Sequence, residues 1–233
     1  KYVAGIEEPK EIEETVEAYR VGFILHYAME QFYEQLRIES PEITAERIEH
    51  KRKDIDRLII EGFADTLYGK KDGEYKEQRY VNVRALASKL KLNGMEKVVF
   101  AILQKYIYII LDQDIANAPF TLIGLEQKGN VTFNFKVNEK EQGIKLFGII
   151  DRVDLKDGVY RIVDYKSGSD QLKYSSIDDC FDTNGGNINK ALVQTLFYTH
   201  VYEQISKNKN VEPNLYVVKT MSDGKVNFTN KEG

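Results

Sequence analysis

The chain's apolar period switches from helical to alternating near residue 118 and returns to helical in one late stretch. Before that point hydrophobic residues recur at helical spacing. After it they alternate with polar ones. From about Glu11 to Ile38 the stripe Ile12, Val16, Tyr19, Phe23, continued by Tyr27, Met29, Phe32, Tyr33 and Leu36, predicts a long helix that Pro41 stops. A second helix is expected from Thr44 to about Leu67, with Ile48, Ile55, Leu58, Ile59 and Phe63 on its packed face. Residues Gly69 to Gly73 read as a loop. A third helical region spans about Val81 to Ala116, with Asn93-Gly94 as a break and fresh cap and Tyr106, Ile109 and Ile110 in the core. Beyond Pro119, Phe120–Gln127 and Asn130–Val137 read as strands with Lys128-Gly129 between them. Ile188 to about Ile205 forms a last helix and Leu215–Thr220 a last strand.

The most informative stretch is Gly143 to Gly168, GIKLFGIIDRVDLKDGVYRIVDYKSG, two alternating runs flanking Asp157-Gly158. Such a dipeptide between alternating runs signals a two-residue hairpin turn. Pairing Lys156 with Val159 then sets Asp151 directly opposite Asp164. Ile149 falls opposite Lys166, and Lys166 shares a face with Asp164. Opposed side chains have Cβ atoms about 4.5–5.5 Å apart, where like charges repel. A divalent cation removes that objection, because hard ions such as Mg²⁺ take one or two carboxylates together with water and substrate phosphate. On the other face the same register pairs Asp154 with Arg161, an ordinary structural ion pair.

Composition narrows the classes. At 233 residues, 42% hydrophobic and 11% aromatic, the chain can bury a sizeable core as one large domain or two small ones. The single cysteine, Cys180, excludes a disulfide framework, a four-thiolate zinc site and an iron–sulfur cluster held by this chain alone. No apolar run reaches the roughly 18 residues of a membrane span. With no signal peptide at the N-terminus, a cytoplasmic location is expected. A net charge of −4 argues mildly against nonspecific nucleic-acid binding but leaves a nuclease open, since bound metal would offset part of it. The chain starts at Lys1 without an initiator methionine and is expected to be a piece of something longer.

Other residues read two ways. His26 lies on the first helical stripe and on periodicity is a core histidine. Gly22, one turn earlier, would let another backbone approach, which favours a site. Glu30 reads as a solvated or capping charge; Glu126 as a strand end that either reaches the site or, as the favoured reading, is solvated; and Lys51-Arg52-Lys53 as a phosphate contact or, given the neighbouring acids, a solvated face. The polar loop 169–187, with Asp178, Asp179 and Asp182, fails calcium-loop spacing because Val193 falls where the bidentate acid belongs. It is expected to cap the next helix or act as a flexible lid. Gln194, Tyr198 and Tyr202 share one helix face at four-residue spacing. There is no G-x-x-x-x-G-K-[ST] phosphate loop, so any ATP-driven step would come from elsewhere.

Taken together, Gly22…His26, then Gly148-Ile-Ile-Asp151-Arg-Val-Asp154, then Val163-Asp164-Tyr165-Lys166-Ser167-Gly168, then Gln194-Thr-Leu-Phe-Tyr198 resemble the PD-(D/E)xK nuclease superfamily. Within it they are most similar to the RecB/AddB-type exonucleases of DNA repair. The resemblance implies an α/β fold: a mixed central sheet flanked by helices, with a large N-terminal helical portion. It implies one nuclease domain over 1–233, helical through 118 and sheet-based from 119. It also implies His26, Asp151, Asp164 and the Tyr165 carbonyl as ligands of Mg²⁺, with Mn²⁺ an alternative. Lys166 is then the lysine that activates water, supported by Gln194 and Tyr198 facing DNA. A helicase subunit or domain is the implied partner. A noncatalytic DNA-binding or scaffolding module that keeps the fold is the competing reading.

Overall fold

The computed structural model of the chain describes residues 18–69, 73–138, 140–168 and 190–221. The loop weighed as a calcium site and the first part of the expected N-terminal helix lie outside these residues. The helical stripe becomes α1 (Ala18–Glu39), where Ile24/Leu25, Ala28/Met29, Phe32/Tyr33 and Leu36 recur every fourth position and are buried. Its last turn closes with the Ser40 amide on the Leu36 carbonyl at 3.1 Å, and Pro41 has no N–H to continue.

The expected second helix is divided into α2 (Ala45–Lys51), a 3₁₀ turn (Arg52–Asp54) and α3 (Ile55–Tyr68). Thr44 caps α2 by accepting from the Arg47 amide at 3.4 Å. The division falls on the charged run. Lys51 pairs with Asp54, and Arg52 leaves the helix surface to bond Asp112 at 2.6 Å and cover the Tyr108 ring. The third region is α4 (Lys76–Ala87) and α5 (Gly94–Asn117), so it begins five residues before Val81. Asn93 and Glu96 form a reciprocal capping box at 2.9 and 2.8 Å, which starts α5 afresh after the break.

The sheet comprises β1 (Glu42–Ile43), β2 (Phe120–Val137), β3 (Lys140–Lys156), β4 (Val159–Lys166) and β5 (Val211–Val217), in that spatial order. Neighbours are antiparallel except β4 and β5, which run parallel and are joined through α6 (Lys190–Ser206). Lys128-Gly129 is therefore not a turn: β2 continues through it. Gly129 pairs with Gly148 across the ladder, and α6 lies against both. A Cβ on Gly129 would stand 2.5 Å from a Val201 methyl, and one on Gly148 would stand 2.6 Å from the Tyr198 ring. Close approach of a helix, not chain reversal, is what glycine serves here.

Strand alternation divides the interior into two layers. Val163, Tyr165, Tyr216 and Phe120 pack with α1, α2, α3 and α5. Ile150, Val153 and Ile162 pack with Tyr198 and Tyr202 of α6. The result is a mixed α/β sheet flanked by helices.

Candidate active site

The hairpin has the register read from Asp157-Gly158, from Lys156↔Val159 to Arg152↔Val163. There the ladder ends, one pair short of the two acids. The Tyr165 amide, which a continued ladder would aim at Ile150, donates instead to Asp151 Oδ2 at 3.0 Å. On its far side β4 continues to pair, with Asp164 opposite Leu215 and Lys166 opposite Val217 of β5. The expected direct Asp151–Asp164 and Ile149–Lys166 pairs are thus replaced by a splay of β3 away from β4. Splaying relieves two facing carboxylates and gives one of them an N–H donor.

Asp151 gains two further neighbours. His26, from the middle of α1, places Nδ1 at 3.2 Å from Asp151 Oδ2. Glu126 is a correction to the sequence reading: it lies inside β2, half-buried, between the pairs Leu125↔Arg152 and Gln127↔Ile150. Its positive φ of 48° breaks the strand's alternation at the position facing Asp151. His26, Glu126 and Asp151 each offer a donor atom, all within 4.8 Å of one another. Two features hid Glu126 from the sequence. The misread turn at Lys128-Gly129 ended its strand early, and a bulge between Leu122 and Gly124 shifts the register.

Electrostatics mark the cluster as short of positive charge. Burial and then Asp151 push the Glu126 carboxyl up to about 7. Burial and Asp151 also raise Asp164, to about 6, against the pull of Lys166. Burial alone would lower His26, but Asp151, with Asp164 and Glu126 behind it, holds the imidazole above its usual range. One imidazole nitrogen and two carboxylates in reach of one point suit a divalent cation such as Mg²⁺ or Mn²⁺. The cation would also answer the crowding of acids.

Lys166 stands at the other side of the site. Its Nζ is 2.7 Å from Asp164 Oδ2 and donates to Gln194 Oε1 at 2.9 Å. Gln194 Nε2 donates in turn to the Tyr198 hydroxyl at 2.6 Å. The lysine can only donate, so this chain fixes the amide's orientation. Among the described residues its ammonium donates to Gln194 and lies against Asp164 as an ion pair, and an ammonium has three N–H groups with which it can also meet a water or phosphoryl oxygen. The Tyr165 amide lies on the strand edge facing Asp151, and strand geometry puts a residue's carbonyl on the same edge as its amide, whereas the Lys166 carbonyl accepts from Val218 on the β5 side. Gly22 faces Ser167: a Cβ there would be 3.8 Å from the Ser167 hydroxyl, so α1 passes close to the end of β4.

Behind the site lies a buried network absent from the sequence reading. Arg152, with no exposed surface, makes a bidentate pair with Asp114 of α5 at 2.7 and 2.8 Å and donates to the Tyr165 hydroxyl at 2.7 Å. It also lies 3.0 Å from Asp154, which bonds Arg161 at 2.7 Å. The Asp154–Arg161 pair is structural, as expected, but belongs to this larger set of two cations and two anions. Asp114 was legible in principle. It falls on the buried stripe Leu103, Ile107, Ile110, Leu111, where an acid requires a partner.

A sequence model of the PD-(D/E)XK nuclease superfamily matches residues 1–228, and the chain belongs to that superfamily. Its members are generally nucleases that hydrolyse phosphodiester bonds, typically with divalent metals, and the fold implies a nucleic-acid substrate. No curated protein and no solved structure gives a significant match. Among the described residues no helix is long and apolar enough to cross a membrane.

Proposed function

We propose that the chain is a metal-dependent deoxyribonuclease of the RecB/AddB type, acting as an exonuclease in DNA repair or recombination beside a helicase subunit or domain. The observation that carries this reading is the junction of two units on one hairpin. One is the His26–Glu126–Asp151 donor cluster, and the other is the Asp164–Lys166–Gln194–Tyr198 chain. His26, Glu126 and Asp151 would hold the cation, joined by Asp164 and the Tyr165 carbonyl. When bound, Mg²⁺ or Mn²⁺ supplies charge neutralisation at the phosphoryl and leaving oxygens and lowers the pKa of an attacking water. Lys166 directs an N–H at that water or at a nonbridging oxygen, and Gln194 and Tyr198 keep it from rotating away.

The test is cleavage of linear and circular DNA with and without Mg²⁺ or Mn²⁺, alongside calorimetry of metal binding. Asp151→Asn removes a ligand charge and should weaken metal binding and cleavage together. Lys166→Ala removes no ligand, so metal affinity should hold while cleavage falls about 10²–10⁴-fold. Digestion of linear but not circular DNA would support the exonuclease assignment. Failure of the parent protein to cut either DNA with either metal would overturn the proposal in favour of a noncatalytic binding module.

A further inference from the structure

Beyond the Arg152↔Val163 pair β4 no longer covers β3, and β2 and β3 continue as a two-stranded arm. One face of this arm pairs Lys128 with Ile149, Asn130 with Phe147 and Thr132 with Lys145, all six exposed. Phe147 is 70% exposed, and Lys145 Nζ sits 5.2 Å from its ring centroid. A strand face that alternates an open aromatic ring with cations and amides has no folding rationale. The opposite face, by contrast, seats α6 through Gly129 and Gly148.

Position gives this face a ligand. A groove of about 660 Å³ borders it: Lys128, Asn130, Phe147 and Ile149 line it from this face, and Tyr198 of α6, which terminates the hydrogen-bond chain from Lys166, lines it together with Gly129 and Gly148 from the other. A second cavity, of about 610 Å³, holds His26 and Glu126, and Lys128 lines both. The groove and the donor cluster thus adjoin on either side of Lys128. Across residues 128–149 the sequence has four lysines (128, 136, 140, 145) against two glutamates (139, 141), a net +2 in a chain of net −4. A polyanion with exposed flat rings matches that combination. Duplex bases are already stacked on one another, whereas unpaired bases are free to stack on an aromatic side chain.

We infer that the β2–β3 arm is a binding track for single-stranded nucleic acid, in which Phe147 stacks an unpaired base and Lys128 and Lys145 hold the adjoining phosphates, leading the strand to the donor cluster. The inference deepens the nuclease reading and rests on it for the direction of the track, but binding can be read without catalysis. Fluorescence anisotropy with a labelled 20-nucleotide oligothymidylate in EDTA measures binding with cleavage silenced. Phe147→Ala should weaken binding about tenfold, within the range of a lost base–aromatic stack, and Phe147→Trp should restore it. Lys128→Gln with Lys145→Gln should flatten the dependence of log K on log salt by about 0.7 per lysine. The parent protein should bind the matching duplex more weakly, with no dependence on Phe147. Ile38→Ala, an exposed apolar truncation at the far end of α1, serves as the control. Because Phe147 is mostly solvent-exposed, misfolding is not expected to confuse the result, and circular dichroism of each variant checks it. Oligonucleotide binding by Phe147→Ala within twofold of the parent would overturn the inference even if the protein cuts DNA. A Phe147-dependent affinity in a protein that cuts nothing would uphold it while the nuclease proposal fails.

Discussion

Glu126 carries the sharpest consequence at the scale of single residues. In the folded, metal-free protein its carboxyl is raised to about 7 from an ordinary 4.5, first by burial and then by Asp151. The folded state therefore keeps a proton that the unfolded chain releases in this window. Stability from that proton is fully present below about 4.5 and is lost as pH rises through about 7. Asp164 and His26 are raised as well and act in the same direction. Thermal melts of metal-free protein should accordingly fall in Tm from pH 5 to pH 8. Glu126→Gln, which keeps the shape without the charge, should flatten much of that fall. Millimolar Mg²⁺ at pH 8 should restore the parent's Tm and have less effect on the variant. A variant whose Tm falls as steeply as the parent's would show that Glu126 is not the group responsible. None of this was legible from Glu126 alone, because its meaning depends on what faces it across the ladder. Asp151, Asp164 and Lys166 were legible because a two-residue turn numbers both strands of a hairpin at once.

Between elements, the packing of α6 on the β2–β3 ribbon links the fold to Lys166. The helix approaches closely enough that Gly148 has no room for a methyl group, which would lie 2.6 and 2.9 Å from two Tyr198 ring carbons. Tyr198 accepts from Gln194, and Gln194 accepts from Lys166. Gly148→Ala should therefore displace the ring, cost about 1–3 kcal/mol as overpacking, and loosen the lysine. Urea melts should register the stability loss. DNA cleavage should drop further than stability explains, while metal affinity, which depends on the opposite side of the site, stays near the parent value. Gly94→Ala is the comparison, since nothing lies within 4 Å of a Cβ there and it sits in the first turn of α5. Equal cleavage by parent and Gly148→Ala would break the proposed link. The same ribbon shows where periodicity misleads. A glycine after a lysine resembles a turn, yet only a helix whose contacting residues, Val201 and Ile205, lie far along the chain explains why Gly129 is there. The positions of α1, α5 and the hairpin needed only local information, and their signals were correspondingly clear.

Across the whole molecule, Asp114 joins the helical half to the sheet. It lies on α5 and accepts from Arg152 on β3, Tyr33 on α1 and Tyr216 on β5, with no exposed surface of its own. Arg152 extends the link to the Tyr165 hydroxyl, and the Tyr165 amide holds Asp151. A buried network of this kind resists prediction from sequence because each member looks ordinary until the others are placed beside it. Its energetic sign is also conditional: the intact set contributes little net stability, whereas removing one partner strands the rest. Asp114→Ala leaves a buried guanidinium with Asp154 as its one carboxylate among the described residues, and two tyrosine hydroxyls without this acceptor. The expected cost is about 3–5 kcal/mol, read as a lower urea midpoint. We propose that residues 1–233 behave as one cooperative unit, so the parent should unfold in a single transition whether followed by far-ultraviolet circular dichroism or by tyrosine fluorescence. In that case Asp114→Ala moves the whole transition to lower urea without dividing it. If the helical and sheet portions were separate domains touching at this network, the variant would instead show two transitions, with the helical signal lost at one midpoint and the sheet at another. Metal affinity at concentrations of urea below the variant's transition adds an independent reading. The path from Arg152 through Tyr165 to Asp151 predicts weaker binding there, and unchanged affinity would confine Asp114 to a role in stability.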